Sequence, residues 1–192
     1  MPEIYVIRHG RTAWNAEKRM QGQRNIPLDD TGRAQARNYA RILSAALKDA
    51  DRFDHVASPL GRARETMALI RSELGLRGEG YRLDPRLKEV KFGDWEGHSR
   101  ENLRRQSPEL LAARDADGWN FCPPNGESYA QMSKRVASWL RSVRENTITV
   151  THGGVIRILQ VLILDAPRQH APNLPAPQDK VMRIKDNRLD WI

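Results

Sequence analysis

The chain has 192 residues, 39% hydrophobic and 29% charged, a composition that suits one globular domain with one core and excludes wholesale disorder. No apolar run is longer than four residues, as in Val161-Leu162-Ile163-Leu164, and Glu3 stands where a secretory leader would be basic, so we expect a cytoplasmic protein with no membrane partner. The single Cys122 rules out an internal disulfide, and the charge of +8 sits on arginines interleaved with acids and poor in aromatics; this fits a field that steers small anions better than a nucleic-acid surface.

In chain order, residues 3–7 form a short β-favouring apolar run ended by Gly10, which puts Arg8 and His9 at the carboxyl end of a buried strand. Residues 11–30 lack periodicity and read as a long loop, and Thr31 is suited to cap a helix running to about Lys48. His55–Ser58 is a second strand, followed by a helix over roughly 60–74 that Gly75 closes. Residues 81–83 suggest an outer strand, 84–98 an irregular stretch, and short helices extend to Arg114. Glu127 to about Arg144 shows helical spacing in Tyr129, Met132, Val136, Trp139, Leu140 and Val143. Thr147–Val150 is the clearest strand, leading through Gly153-Gly154 into an apolar helix over 155–164. Four prolines in 166–177 argue for a loop draped over the body, and 181–184 with 189–192 for a terminal hairpin around Asn187. Strands alternating with helices predict an α/β fold: one domain, a mostly parallel sheet, helices on both faces.

In such sheets ligands bind beyond the carboxyl ends of the strands, where the strand order reverses. That rule joins three strings into one site: Arg8-His9-Gly10, Ser58-Pro59-Leu60-Gly61-Arg62, and Thr151-His152-Gly153-Gly154. Two guanidiniums would repel a metal ion but match phosphate oxygens with paired donors. A neutral imidazole held against a phosphoryl group is a nucleophile. His55, His98 and His170 match no motif and are expected at the surface, and the tryptophans are expected in packing, with Trp14 near the pocket mouth.

These strings resemble the motifs of the histidine phosphatase superfamily, in its phosphoglycerate mutase-like branch. Arg8-His9-Gly10-Arg11-Thr12-Ala13-Trp14-Asn15 is similar to the opening Arg-His-Gly-x-Thr-x-x-Asn, and Ser58 through Thr66 to the second motif. Leu87-Lys88-Glu89 through Trp95-Glu96-Gly97 resembles the third motif, Pro124-Asn125-Gly126-Glu127-Ser128 the Pro-Gly-Gly-Glu-Ser turn, and Thr151 through Gly154 the last. The motifs occur in family order from residue 3 to about 164. The resemblance implies that His9 is the nucleophile and that Arg8, Arg62 and His152 hold the phosphate oxygens. Asn15 adds a contact, with Thr12, Gln21 and the Gly153 amide as further candidates. Glu89 serves as proton donor to the leaving group and then as base, with Asp84, Asp94 and Glu96 as nearby alternatives. It implies neither a metal nor a cofactor.

Two departures bear on activity. The interval 98–123 is shorter than in the mutases, implying a pocket open to water and therefore hydrolysis of small phosphorylated metabolites, with a cofactor-dependent phosphoglycerate mutase as the alternative. The proline-rich 166–177 stretch and Gln178-Asp179 do not match the family's approach to its final strand. A reading from another class is a non-catalytic basic nucleic-acid binder on the same fold.

Overall fold

A computed structural model describes all 192 residues. Six strands form one sheet in the order β3-β2-β4-β1-β5-β6. These are β1 Ile4–Arg8, β2 Asp54–Ala57, β3 Arg82–Leu83, β4 Thr147–Thr151, β5 Met182–Lys185 and β6 Arg188–Trp191. The pairings β1–β4, β2–β4 and β2–β3 are parallel, while β5 runs antiparallel to β1 and β6 to β5, forming the expected terminal hairpin.

Alternation along β1 places its side chains in two separate cores. Ile4 and Val6 join a cluster with Met132, Val136, Trp139, Val155, Ile158 and Leu159, from α6 (Tyr129–Ser142) and α7 (Gly153–Leu164). Tyr5 and Ile7 point the other way, towards Tyr39, Leu43, Met67 and Ile70 of α2 (Asp30–Ala46) and α3 (Gly61–Glu73). Helices therefore cover both faces. The chain leaves β1 towards α2 and leaves the neighbouring β4 towards α7, on opposite faces, so a crevice opens between the carboxyl ends of β1 and β4. A third, small cluster of Trp95, Leu103 and Leu111 seats the short helices α4 (Arg100–Gln106) and α5 (Pro108–Ala116). No helix is long and apolar enough to cross a membrane.

Several local expectations need correction. Residues 11–30 are not all loop: Ala13–Ala16 form a single helical turn, α1, closed by a reciprocal cap between Thr12 and Asn15. Asp29, not Thr31, caps α2, its carboxylate accepting from the Gly32 amide, so Thr31 lies inside the first turn. Either residue type can cap, and the chain starts the helix at the one carrying the stronger, charged acceptor. Helix α6 begins after Ser128, which caps it through Gln131, rather than at Glu127. The 166–177 stretch contains a 3-10 helix over Arg168–Asn173 before an extended strap. His55 is not a surface group: it lies buried in β2, with Nε2 on the Ala50 carbonyl at 2.9 Å.

Candidate active site

His9 follows β1 and is 2% exposed. Its Nδ1 lies 2.7 Å from the Gly10 carbonyl, which can only accept, so Nδ1 carries the proton and Nε2 the lone pair. Arg62 Nε donates to that Nε2 at 3.1 Å, consistent with this tautomer. Burial first, then the charges of Arg62 and Arg8, hold the His9 pKa well below its ordinary value, so the ring is neutral at pH 7.

Arg62 enters from the first turn of α3 and is fully buried. Nη1 and Nη2 donate to the carbonyls of Arg24 (2.7 Å) and Gly22 (2.8 Å), fixing the plane of the guanidinium. Burial pushes its pKa down to about 10, leaving it charged near neutrality. Arg8, the last residue of β1, donates through Nη1 to the Ala176 carbonyl at 2.5 Å, while its buried Nε has no protein partner.

His152 caps α7 at the end of β4, its ring centroid 5.1 Å from that of His9. Nε2 shares a 2.7 Å hydrogen bond with Ser58 Oγ, and Nδ1 has no protein partner. Burial, reinforced by Arg62 and His9, holds it neutral as well.

Glu89 faces Arg8, His9 and Arg62 across a cavity of about 130 Å³, and His152 is buried behind its lining. One oxygen accepts from the Val90 amide at 2.9 Å and from the Gly154 amide at 3.0 Å. Gly154 is required for this approach, because a Cβ there would lie 2.3 Å from Glu89 Oε1.

The cavity lining brings together Arg8, His9, Asn15, Gln21, Arg62 and Glu89. Asn15 is oriented by its cap: Oδ1 accepts from the Thr12 amide at 3.2 Å and from Gln178 Nε2 at 3.4 Å, which leaves the Nδ2 donor free. Gln21 is buried, with its Oε1 unpartnered. Thr12 is buried behind the lining, its hydroxyl engaged by Asn15, and Gly153 also stands outside the lining residues. Of the alternative acids, Asp84 is paired with Arg86, Asp94 accepts from Asn125, and Glu96 accepts from the Gln23 amide, so Glu89 alone among them faces the cavity. Trp14 packs under Arg19, its ring 4.5 Å from the guanidinium, rather than forming the lining.

Gly154, part of the expected Thr151–Gly154 string, lines the cavity, and Arg157 and Tyr129 line it without having been expected there. Arg157 follows Gly153 by four residues, one helical turn, so the spacing could have placed it on the same face. Gln178 had no local signal. It donates to the His9 carbonyl at 2.9 Å from 169 positions away.

Fold and site together define an α/β protein with a neutral histidine and arginines that outnumber the single carboxylate of the lining, Glu89, at the switch point of the sheet, a cleft suited to a phosphate-sized anion. The chain belongs to the histidine phosphatase superfamily (branch 1), whose family model matches residues 4–191. A protein of Escherichia fergusonii described as a probable phosphoglycerate mutase is 32% identical over 204 residues, covering 100% of this chain and 88% of the relative. Among solved structures, the α-ribazole phosphatase of Shigella flexneri superposes with a TM-score of 0.82 at 26% identity, covering 99% of this chain and 94% of that one. A mycobacterial glucosyl-3-phosphoglycerate phosphatase, solved with VO3, gives 0.80 at 28%, covering 100% and 96%.

Proposed function

We propose that this protein is a phosphomonoesterase that hydrolyses small phosphorylated metabolites through a phosphohistidine at His9. The observation that carries this reading is the His9 ring itself. Its proton is fixed on Nδ1 by Gly10, and its Nε2 lone pair faces a cavity flanked by Arg8 and Arg62.

On binding, the ester phosphate displaces the Arg62 Nε contact from Nε2 and takes donors from Arg8, Arg62 and Asn15. His152 Nδ1 and Gln21 are the further contacts. Nε2 then attacks phosphorus in line, the P–O ester bond breaks, and Glu89 supplies the proton to the leaving alcohol. The Nδ1 bond to the Gly10 carbonyl stabilises the positive ring that results. In the second half, water attacks phosphorus and loses its proton to Glu89, and the P–N bond breaks, returning the lone pair to His9. The balance is ester plus water to alcohol plus phosphate. The arginines neutralise the transferring group throughout. Support for a charge supply from arginine alone is that no three His, Cys, Asp or Glu side chains gather into a metal-binding group.

The mutase alternative draws on the naming of the Escherichia fergusonii relative. Against it stands the short cap, only the two helices α4 and α5 between Arg100 and Ala116, which favours transfer to water over return to a second substrate.

Rapid quenching with labelled substrate, followed by acid and alkali treatment and peptide mapping, tests the mechanism. The label should be acid-labile, alkali-stable and on His9. Label on a serine, a threonine or His152 would overturn it. Measuring phosphate release against conversion of 3-phosphoglycerate to 2-phosphoglycerate separates the two activities.

A further inference from the structure

The Pro124-Asn125-Gly126-Glu127-Ser128 turn has no task in the mechanism above, and neither has Arg135 on α6. Yet Arg135 uses all five N–H donors that an arginine carries. Nε and Nη2 form a fork on the Glu127 carboxylate, at 2.8 Å each. Nη1 donates to the carbonyls of Arg86 at 2.6 Å and Lys88 at 2.7 Å, and Nη2 donates also to that of Glu89 at 3.2 Å. With side chains 21% and 18% exposed, the pair is sheltered enough from solvent to hold one geometry.

The segment so gripped carries Glu89. The four consecutive carbonyls from Arg86 to Glu89 are all taken by side chains. Thr151 Oγ1 donates to Leu87 at 2.9 Å, and Gln23 Nε2 joins Arg135 on the Glu89 carbonyl at 3.1 Å. On the far side of Glu89, the Glu127 amide donates to the Lys91 carbonyl at 2.7 Å, and the Glu127 carboxylate accepts from the Lys91 amide at 3.4 Å. One ion pair therefore brackets Glu89 from both sides. Residues 88–92 belong to no helix or strand, so no regular ladder sets the direction in which the Glu89 side chain leaves the backbone. Held in this way, its Oε1 meets the Val90 and Gly154 amides and the carboxylate faces the cavity.

We infer that Arg135 and Glu127 are positioning residues for the proton donor: the pair holds residues 86–91 so that Glu89 reaches the leaving-group oxygen. This rests on the phosphatase reading insofar as Glu89 is the donor.

Arg135→Lys is the first test. Lysine cannot fork, but it keeps the charge, which helps to hold His152 neutral after burial, Arg62 and His9. Turnover of an alkyl phosphate should fall about threefold to tenfold further than that of p-nitrophenyl phosphate, in kcat rather than KM. In a Glu89→Gln background the same substitution should leave that ratio unaltered, because the group it positions is gone. Glu127→Gln should give the same selective loss, to a smaller extent. An equal fall for both substrates overturns the positioning role, as does a ratio that falls again in the Glu89→Gln background. Loss of the native melting transition in both variants overturns it too, by giving the pair a folding role. The Gly154 amide reports on the carboxylate without turnover: its NMR resonance should move in Glu89→Gln and, in the same direction, in Arg135→Lys. A resonance unmoved in either variant overturns the positioning role. If wild type turns over neither substrate, or Glu89→Gln leaves the ratio unchanged, the phosphatase reading or its donor fails separately, and the Gly154 resonance decides the role of the pair.

Discussion

Two of the clefts walled by arginines in this molecule differ in how those charges are answered. The larger, about 420 Å³, lies along the outer strand β3 beside the starts of β2 and β4, and includes Asp54, Arg82, Asp84, Arg86, Arg144 and Glu145. There Arg82 is paired with Asp54, and Arg86 with Asp84 at 2.6 Å, while Arg144 is exposed and donates only to the carbonyls of Arg141 and Val143. The smaller, about 130 Å³, lies at the carboxyl ends of β1 and β4, and its Arg8, Arg62 and Arg157 have no carboxylate partner. Volume does not identify the functional cleft; guanidiniums that are unpaired and also withdrawn from solvent do. A paired guanidinium presents almost no net field to a visiting anion. One fixed on backbone carbonyls keeps its full charge, and partial burial makes that charge act through a lower effective dielectric.

Removing the proposed nucleophile should break the smaller cleft most completely. His9→Ala should lower phosphate release by about 10⁴-fold or more with an unchanged melting curve, because His9 closes a strand rather than filling a core. Activity within tenfold of wild type would remove His9 from the mechanism. Arg62→Gln comes next, with a fall on the order of 10²–10³-fold, as for loss of one preorganised donor to the transferring group. A fall below tenfold would show that the charge of Arg62 is dispensable.

The buried histidines also give the smaller cleft a pH signature. His9 and His152, and His55 further along the sheet, all have pKa values below 6.5, in each case first through burial. Unfolded, each protonates near 6.5; folded, each stays neutral to lower pH. Below about pH 6.5 the unfolded chain therefore binds more protons, and stability falls as pH drops, by up to about 1.4 kcal/mol per pH unit for each group. Above about pH 7 this contribution is complete. Urea unfolding at pH 7.5 and 5.5 should show lower stability at 5.5, and a difference reduced in His152→Asn. Equal or greater stability at 5.5 contradicts this.

Glu89→Gln sharpens the assignment of the proton donor. It should slow alkyl phosphates about tenfold more than p-nitrophenyl phosphate, whose leaving group needs little protonation. An equal fall for both substrates gives Glu89 a binding role instead. The smallest expected effect is a null in the larger cleft. Arg82 is well exposed, so Arg82→Gln should leave turnover unaltered and stability within about 1 kcal/mol. A tenfold loss of turnover would mean that the two clefts are coupled.

By itself the sequence determined the alternation of strands and helices, because periodicity records which side of each element is buried. It also placed His9, Arg62 and His152 beyond strand ends, because each stands in a short string whose turn or glycine fixes the local backbone, whereas Glu89 was singled out only by the resemblance of its string to a family motif. It misled where two residues compete for one task, as with Asp29 and Thr31, and where a polar side chain is satisfied inside the sheet, as with His55. Only the tertiary structure decided which lone pair His9 presents, since that depends on Gly10 on one side and on Arg62, 53 positions away, on the other. The same holds for the strap: Ala176 and Gln178 reach Arg8 and His9 from 168 and 169 residues along the chain. A local pattern carries no record of such partners, because the hydrogen bonds that join them form only once the sheet has brought β1 and the chain's last segments side by side.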